Sequence, residues 1–194
     1  SMLTISVPRS PRVAIAPRRG YGLAIQTGIS AARADAEILL FLDGDGSDRA
    51  EFIPALIAPI VDGHVVFVHG SRVQGEREPG SLSPQQRVAG YVSGLLLRLI
   101  YGVRFTDMSP FRAIRRDAFD RLGMRETTYG WNLEMLMRVA ARGLPALEIP
   151  VGQRRRVAGV SKVSGNFSAG LKAAWTIGTT FIRLALTLRR EPRP

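Results

Sequence analysis

An apolar run that ends in two aspartates constrains this chain more than any other stretch. The run is EILLFLDGDGSD, residues 37–48, in which apolar residues from Ile38 to Leu42 are followed by Asp43 and Asp45 with one glycine between them. A continuous apolar run is typical of a strand buried on both faces of an α/β sheet. Open α/β sheets bind ligands beyond the carboxyl ends of their strands. We therefore predict that the two aspartates lie together in a ligand site.

The composition narrows the class of protein without identifying its partner. The 194 residues are 45% hydrophobic and 22% charged, which is ordinary for one soluble globular domain. The absence of cysteine excludes disulfides and thiolate metal sites. The formal net charge of +11 implies attraction to nucleic acid, a phospholipid surface or a phosphorylated substrate. We see no export signal, and the two most apolar windows, 88–103 and 173–188, fall short of the roughly 20 residues of a membrane-spanning helix.

Strand-like and helix-like segments alternate along the chain, which predicts an α/β fold. The predicted strands are 3–7, 12–16, 38–42, 64–70 and 146–151, and the predicted helices are 20–35, 88–101, 125–143 and the region from 164 onward. Asp48 followed by Glu51 predicts a capping box for a helix that Pro54 and Pro59 keep short or kinked. Residues 71–87 lack periodicity and are interpreted as a long functional or mobile loop.

The Asp-x-Asp pair suits a hard divalent cation. Mg²⁺ is typically held by one or two carboxylates, while substrate phosphates and water complete its coordination. The pair would then bind a metal–diphosphate. Because Asp, Gly and Ser are also the commonest turn residues, the segment 43–48 taken alone fits a turn equally well.

Two further segments carry cations that suit a phosphate site, and two others carry carboxylates in apolar surroundings. Arg72 in the GSR segment could hold a phosphate bidentately, although a solvated surface arginine is the alternative. The segment QRRRVAGVSK, 153–162, is either a solvated basic turn or a flexible anion clamp. Asp107 and Glu134 stand in apolar or aromatic surroundings and are either perturbed carboxylates of a site or satisfied polar residues at the edge of the core.

Taken together and in order, these segments resemble the family 2 glycosyltransferases of the GT-A type, especially the dolichyl-phosphate and polyprenyl-phosphate hexose synthases. The matching motifs cover about residues 13–162 and are RRGYGLAIQTGI, FLDGDGSD, HGSR, TDMSPFRAI, YGWNLEM, EIPV and RRRVAGVSK. The resemblance implies a GT-A, Rossmann-like nucleotide-diphospho-sugar transferase fold with a mixed, mostly parallel sheet flanked by helices. The catalytic domain would span 1–163, and a basic amphipathic helix or tail would span 164–194, with Lys172, Arg183, Arg189 and Arg190.

The resemblance also implies roles for individual residues. Asp43 and Asp45 would bind Mg²⁺ or Mn²⁺ and the donor diphosphate, with Ser47 where relatives often have glutamine. The cations and polar residues that look like those meeting donor or lipid phosphates are Arg72, Arg156, Ser161 and Lys162.

The reaction implied is transfer of a hexose, with inversion, from a UDP- or GDP-hexose to a polyprenyl (dolichyl-type) phosphate or a glycan acceptor. A phosphate acceptor is already largely anionic at neutral pH and needs little general-base help. Catalysis would then rest on the metal at Asp45 and on the arginines, which stabilise the departing diphosphate. A sugar hydroxyl would instead need a carboxylate base, for which Asp107 or Glu134 is the candidate.

The chain departs from the family pattern near its beginning. Relatives have a helix and a second strand after the first strand, but here LTISV passes almost directly into PRSPRVAIAP. About one βα unit, roughly 30 residues or more, is missing by this comparison. Either the sequence joins pieces of a longer chain or the unit is deleted and the protein is a degenerate scaffold. We favour the first, because a sheet without its nucleotide-binding strand would be badly exposed.

Two functions of other classes compete with this interpretation. A haloacid-dehalogenase-type phosphatase also has a strand followed by Asp-x-Asp, but this chain has no adjacent aspartate pair to complete the metal site. A nucleic-acid-binding module would explain the basic charge, but the basic residues are scattered and few aromatic residues are available for stacking. We therefore expect no nucleic acid partner, and we expect the basic amphipathic tail to make peripheral contact with the anionic cytoplasmic face of the membrane.

Overall fold

The computed structural model describes residues 13–156 and 167–190, and the side chains of the last helix only at Trp175 and 178–188. The helices are α1 (Tyr21–Ala31), α2 (Ile53–Val61), α3 (Pro84–Tyr101), α4 (Arg116–Leu122), α5 (Trp131–Ala141) and α6 (Phe167–Arg190). The strands are β1 (Ile38–Phe41), β2 (Phe67–Ser71), β3 (Arg112–Arg115) and β4 (Ala146–Pro150), and a 3₁₀ turn (Ala50–Phe52) precedes α2.

The four strands form one mixed sheet in the order β1-β3-β2-β4. Strand β3 runs antiparallel to β1 and β2, and β2 runs parallel to β4. The carboxyl ends of β1, β2 and β4 therefore meet at one edge, together with the amino end of β3. The predicted mixed α/β sheet is confirmed. Three of the four described strands run in the same direction, as expected for a mostly parallel sheet, although β3 inserts antiparallel between β1 and β2 and leaves one parallel pairing of three.

Helices cover both faces of the sheet, which explains the continuous apolar runs in the strands. On one face, Leu56 and Ile60 of α2 pack with Val68 and Ala113. On the other face, a larger core joins the sheet to α3, α4, α5 and α6, with Trp131 at its centre among the largest buried side chains. The run that leads to the aspartates is less buried than predicted. In β1 only Leu39 is buried, and its other residues are partly buried. Leu42 just after it is exposed, because β1 lies at the edge of the described sheet.

The predicted strand at 12–16 is wrong for its described residues. Residues 13–16 form no strand, and the side chains of Val13 and Ile15 are exposed. A short β-branched segment needs a partner strand to be stable, and no described strand pairs with it. The other early strand, 3–7, lies outside the described residues.

Three helix starts also differ from prediction, one of them that of the helix predicted over 125–143, which begins at Trp131. Asp48 does not cap α2; its carboxylate accepts a hydrogen bond from the Asp43 backbone instead. The helix predicted to begin at 88 begins at Pro84, where Ser83 and Gln86 form a reciprocal capping box. The loop after β2 is therefore shorter than expected. Helix α2 is short, as its prolines predicted.

Helix α3 packs against the rest of the chain through small residues. A Cβ atom added at Gly94 would lie 2.0 Å from the Phe105 carbonyl oxygen, and one at Gly90 would lie 3.3 Å from the Asp107 Cα atom. These two glycines let the α3 backbone approach the segment 105–107 closely. The position of that segment, which leads into β3, therefore depends on the absence of side chains at both positions.

Helix α6 packs against α5 and α3. The buried side chains of Phe181, Leu184 and Leu188 belong to the larger core. Arg183 forms an ion pair with Glu126, which lies just before α5. Among the described residues, no helix has both the length and the apolar character needed to span a membrane.

We predict opposite effects for alanine at two helical glycines. Gly94→Ala should lower the free energy of unfolding by about 1–3 kcal/mol, because the methyl group would overlap the Phe105 carbonyl. Gly28→Ala, on exposed α1 with no atom within 4 Å, should raise it by up to about 1 kcal/mol. Urea denaturation of both variants measures the difference. Equal effects of the same sign would contradict the packing described for α3.

Candidate active site

The shared edge of the sheet brings together residues that are far apart in the sequence. Asp43 and Asp45 follow β1, Arg72 follows β2, and Asp107 precedes β3. Arg156 lies beyond the end of β4. Because β1, β2 and β4 point the same way, these side chains converge on one region. Five predicted site residues therefore meet at the edge where open α/β sheets bind ligands.

The loop after β1 is closed by its own aspartates. The Asp43 backbone N–H donates to Asp48 Oδ2 at 2.7 Å, and the Ser47 N–H donates to Asp45 Oδ1 at 2.9 Å. Gly46 has a φ of +76°, which favours glycine at the turn. The Arg154 N–H donates to the Ser47 carbonyl and joins this loop to the segment after β4. The segment is thus both a turn and a cluster of carboxylates.

The cluster carries more negative charge than its surroundings neutralise. Burial raises the pKa of Asp43, and the nearby Asp45 charge raises it further. Burial also raises the pKa of Asp48 to about 6. Asp48 Oδ1 is buried and has no hydrogen-bond partner. A cation placed between the carboxylates would relieve this repulsion.

Asp45 forms an ion pair with Arg156, whose Nε lies 3.1 Å from Asp45 Oδ2. Burial raises the pKa of Asp45, but hydrogen bonds from Ser47 and the charge of Arg156 outweigh it and lower the pKa below its usual value. Asp45 is therefore held in its charged form. Of the basic segment after β4, the structure describes Arg154, Arg155 and Arg156, and the predicted residues Ser161 and Lys162 lie outside the described part.

Arg72 and Asp107 form a buried bidentate ion pair. Arg72 Nε and Nη2 donate to the two Asp107 oxygens at 2.7 and 2.8 Å, and the Arg72 backbone N–H donates at 3.0 Å. The Met108 N–H donates to the same carboxylate at 2.7 Å. Burial raises the pKa of Asp107, but the Arg72 guanidinium outweighs it and lowers the pKa overall. Asp107 therefore positions Arg72 beside the aspartate loop.

Glu134 has a separate set of partners. Its carboxylate is fully buried on α5 and accepts hydrogen bonds from the backbone N–H groups of Arg125 and Glu126 and from Arg138 Nε. None of these partners belongs to the group gathered at the sheet edge. These contacts fix the chain before α5 to the first turn of that helix.

Sequence reasoning missed three residues next to the aspartates. The Tyr21 hydroxyl lies 3.5 Å from Asp43 Oδ1 and accepts a hydrogen bond from Asn132 Nδ2 at 3.3 Å. Burial, with the Asp43 charge, raises the pKa of Tyr21 to about 12. The fully buried Arg112 donates to the Asn132 carbonyl at 3.0 Å. The tyrosine within the motif RRGYG, at the start of α1, was the available signal for Tyr21, whereas only the fold brings Asn132 and Arg112 near it.

The residues fit a divalent cation that is completed by a ligand. No cluster of three or more histidine, aspartate or glutamate side chains suited to a metal occurs among the residues described. Mg²⁺ needs only one or two protein carboxylates when substrate phosphates supply the other oxygens. Asp43 and Asp45 provide that number, and the unpartnered Asp48 oxygen adds a further negative charge beside them.

Comparison with known sequences identifies the class of protein. The family model described as "Glycosyl transferase family 2" matches residues 9–123. An uncharacterized glycosyltransferase of Mycobacterium tuberculosis is 34% identical over 173 residues, which cover 88% of this chain and 76% of the relative. The chain therefore belongs to glycosyl transferase family 2, and the phosphatase and nucleic-acid-binding alternatives are set aside.

Two further relatives have named activities. An undecaprenyl-phosphate mannosyltransferase of Micrococcus luteus is 28% identical over 156 residues, covering 72% of this chain and 62% of the relative. A dolichyl-phosphate hexose transferase of Haloferax volcanii is 29% identical over 173 residues, covering 88% and 70%. The predicted resemblance to polyprenyl-phosphate hexose synthases is thus confirmed at the level of sequence.

A solved structure confirms the fold. Glucosyl-3-phosphoglycerate synthase from Mycobacterium tuberculosis, in complex with Mn²⁺, UDP and glucosyl-3-phosphoglycerate, aligns with a TM-score of 0.64 at 18% identity. The alignment covers 88% of this chain and 57% of that one, so the chain spans little more than half of that structure. The GT-A fold predicted from the sequence is the fold observed.

We predict that Asp48 makes stability depend on pH. Its folded-state pKa of about 6 lies above the ordinary 3.8, so its favourable contribution is present below about pH 4 and is lost as the pH rises through 6. Asp48→Asn should therefore raise the free energy of unfolding at pH 7.5 by about 1–3 kcal/mol, with little gain at pH 4. Urea denaturation at both pH values measures it. A gain of the same size at both, or one matched by exposed Asp62→Asn, would contradict the assignment.

Proposed function

We propose that this glycosyltransferase moves a hexose from a UDP- or GDP-hexose to a polyprenyl phosphate, with inversion and with Mg²⁺ or Mn²⁺. One observation carries the proposal. The aspartate pair, Asp43 and Asp45, and two arginines, Arg72 and Arg156, converge at one edge of a GT-A sheet. A metal–diphosphate presents both signs of charge and would match this arrangement.

The donor would bind across the aspartate loop. Asp43 and Asp45 would hold the divalent cation, which supplies positive charge to the diphosphate as it departs. Arg156 is a natural partner for a diphosphate oxygen, because it already lies beside Asp45 and remains partly exposed. Tyr21 supports Asp43 through its hydroxyl. In this proposal Ser47 closes the loop, and Ser161 and Lys162 extend the phosphate contacts beyond Arg156.

The acceptor would be a phosphate monoester. One of its oxygens attacks the anomeric carbon, the bond from that carbon to the diphosphate oxygen breaks, and the nucleoside diphosphate leaves. The oxygen is already anionic, so no side chain has to remove a proton. This suits Asp107, whose oxygens accept four hydrogen bonds and serve to position Arg72. With a hydroxyl acceptor, Asp107 or Glu134 would have to give up such bonds to act as the base.

The names of the relatives support the acceptor class. The Micrococcus luteus and Haloferax volcanii proteins are named for undecaprenyl phosphate and dolichyl phosphate, which are both polyprenyl phosphates. The Mycobacterium tuberculosis synthase, solved with Mn²⁺ and UDP, supports a metal and a nucleotide donor. A membrane-resident acceptor would place this protein at the cytoplasmic face of the membrane as a peripheral protein.

We predict metal-dependent donor binding that requires Asp45. Titration calorimetry with UDP- and GDP-hexoses should show binding of one of them with Mn²⁺ or Mg²⁺ and at least tenfold weaker binding without it. Asp45→Asn should weaken metal-dependent binding by about 100-fold or more, because one carboxylate ligand is lost. Asp62→Asn, at an exposed position just after α2, is the matched control and should bind normally. Donor binding of equal strength with and without the metal, or unchanged by Asp45→Asn, would contradict the proposed site.

A further inference from the structure

Helix α3 turns its large apolar side chains away from the core, unlike an ordinary surface helix. Its buried positions are mostly small, namely Gly90, Ser93 and Gly94, with Leu97 as the one large apolar residue. Its outward face carries large apolar side chains, of which Tyr91 is 70% exposed and Leu99 is 73% exposed. The full outward stripe consists of Val88, Tyr91, Val92, Leu95 and Leu99.

This orientation has a steric cause. The glycines of α3 are needed where its backbone lies against residues 105–107. Rotating the large side chains inward would drive them into the Phe105 carbonyl, so the helix cannot bury its apolar stripe against this domain. A surface helix normally turns its apolar stripe toward the core, and a large exposed apolar patch marks a binding surface. The exposed stripe therefore has the character of a binding surface.

The charges beside the stripe select an anionic partner. The 18 residues of α3 contain no aspartate or glutamate. Arg87 and Arg98 are exposed on the same helix, and Arg104 is exposed just after it. Apolar side chains flanked by arginines on a helix without acidic residues are the arrangement that binds an interface of anionic lipid headgroups and acyl chains.

We propose that the outward face of α3 docks the protein onto an anionic phospholipid bilayer. The inference rests on the proposed function, since it identifies the surface that would bring the site to a membrane-resident acceptor. Val88, Tyr91, Val92, Leu95 and Leu99 enter the headgroup and acyl boundary. Arg87, Arg98 and Arg104 contact lipid phosphates.

The inner face of α3 connects this surface to the site. A Cβ atom at Gly90 would lie 3.5 Å from Asp107 Oδ1, and Asp107 holds Arg72. Only the thickness of one helix, about 10 Å, therefore separates the docked stripe from the ion pair. A phosphate at the bilayer surface would thus lie near the arginine that we assign to phosphate binding.

Helix α6, which packs against α3, also has exposed apolar side chains and no acidic residue. Its outward residues include Trp175, Ile182 and Leu186, at spacings of seven and four. Tryptophan is enriched at membrane interfaces, where its ring is partly apolar and partly polar. The membrane contact that the sequence assigned to the carboxyl-terminal tail is therefore centred on α3, with α6 as its neighbour.

Vesicle flotation tests the docking surface. The probe is phosphatidylcholine vesicles with and without phosphatidylglycerol, at low and high salt. We expect binding only to the anionic vesicles, weakened by salt, because the arginine contacts are screened. Tyr91→Ser with Leu99→Ser should reduce the partition coefficient about tenfold or more, because two exposed side chains no longer enter the bilayer.

The matched control is Ile15→Ser with Val61→Ser, two exposed apolar residues away from α3. It should bind vesicles like the unmodified protein. Both double variants should retain the unmodified melting temperature and donor titration, since the altered side chains are exposed. A loss of vesicle binding confined to the α3 variant supports the proposal.

Three results would overturn the docking surface. They are no binding of the unmodified protein to anionic vesicles, equal loss in both double variants, and self-association in sedimentation experiments that the α3 variant abolishes. Each leaves donor binding measurable in solution, so failure of the docking surface is distinguishable from failure of the proposed transferase reaction. A donor titration without binding would instead reject the proposed function itself.

Discussion

The buried ion pair between Arg72 and Asp107 joins the parts of the site that the sheet brings together. Arg72 is at the end of β2, and Asp107 is on the segment between α3 and β3. The neighbouring Thr106 N–H donates to Glu148 on β4, so the same segment is tied to a third element. Removing one partner of a buried ion pair typically costs about 3–5 kcal/mol, because the other charge is left uncompensated. The pair therefore fixes the position of the arginine and of the segment against which α3 rests.

In contrast to this neutralised ion pair, the aspartate loop carries unbalanced negative charge. Asp43, Asp45 and Asp48 are drawn together by backbone hydrogen bonds, although burial and mutual repulsion raise the pKa of two of them. A sequence under no functional demand would replace one carboxylate by a neutral side chain. The unfavourable charge is understandable if a cation completes the site when the donor binds. Unfavourable charge and perturbed pKa values of this kind concentrate at functional sites, because the chemistry there requires them.

The sequence predicted the parts of the site that depend on local pattern. The sequence placed these side chains at strand ends, because an apolar run ends in Asp-x-Asp and another strand ends before Arg72. The carboxyl ends of strands that run the same way meet at one edge of a sheet. The role of Asp107 was not predictable, because its pairing with Arg72 spans 35 residues and depends on how α3 lies between them. The contact between Tyr21 and Asn132 was not predicted for the same reason, since 111 residues separate them.

Errors in element boundaries also have physical causes. The pattern Asp48–Glu51 has the spacing of a capping box, but the carboxylate found a stronger partner in the Asp43 backbone. The reversed orientation of α3 was hidden because periodicity shows that a helix has an apolar face but not which way that face turns. The exposure of the apolar side chains and the close approach of Gly94 to Phe105 reveal it. The fold could be predicted from ordered motifs, whereas the surfaces it exposes could not.

We propose that this site transfers a hexose to a lipid phosphate. The most direct test of this proposal is to incubate the protein with the nucleotide hexose that it binds, Mn²⁺ and vesicles containing undecaprenyl phosphate, and to analyse the lipids by mass spectrometry and NMR. We expect a hexosyl polyprenyl phosphate with the anomeric configuration opposite to that of the donor. Donor consumption that yields only free sugar, or a product with retained configuration, would contradict the proposal.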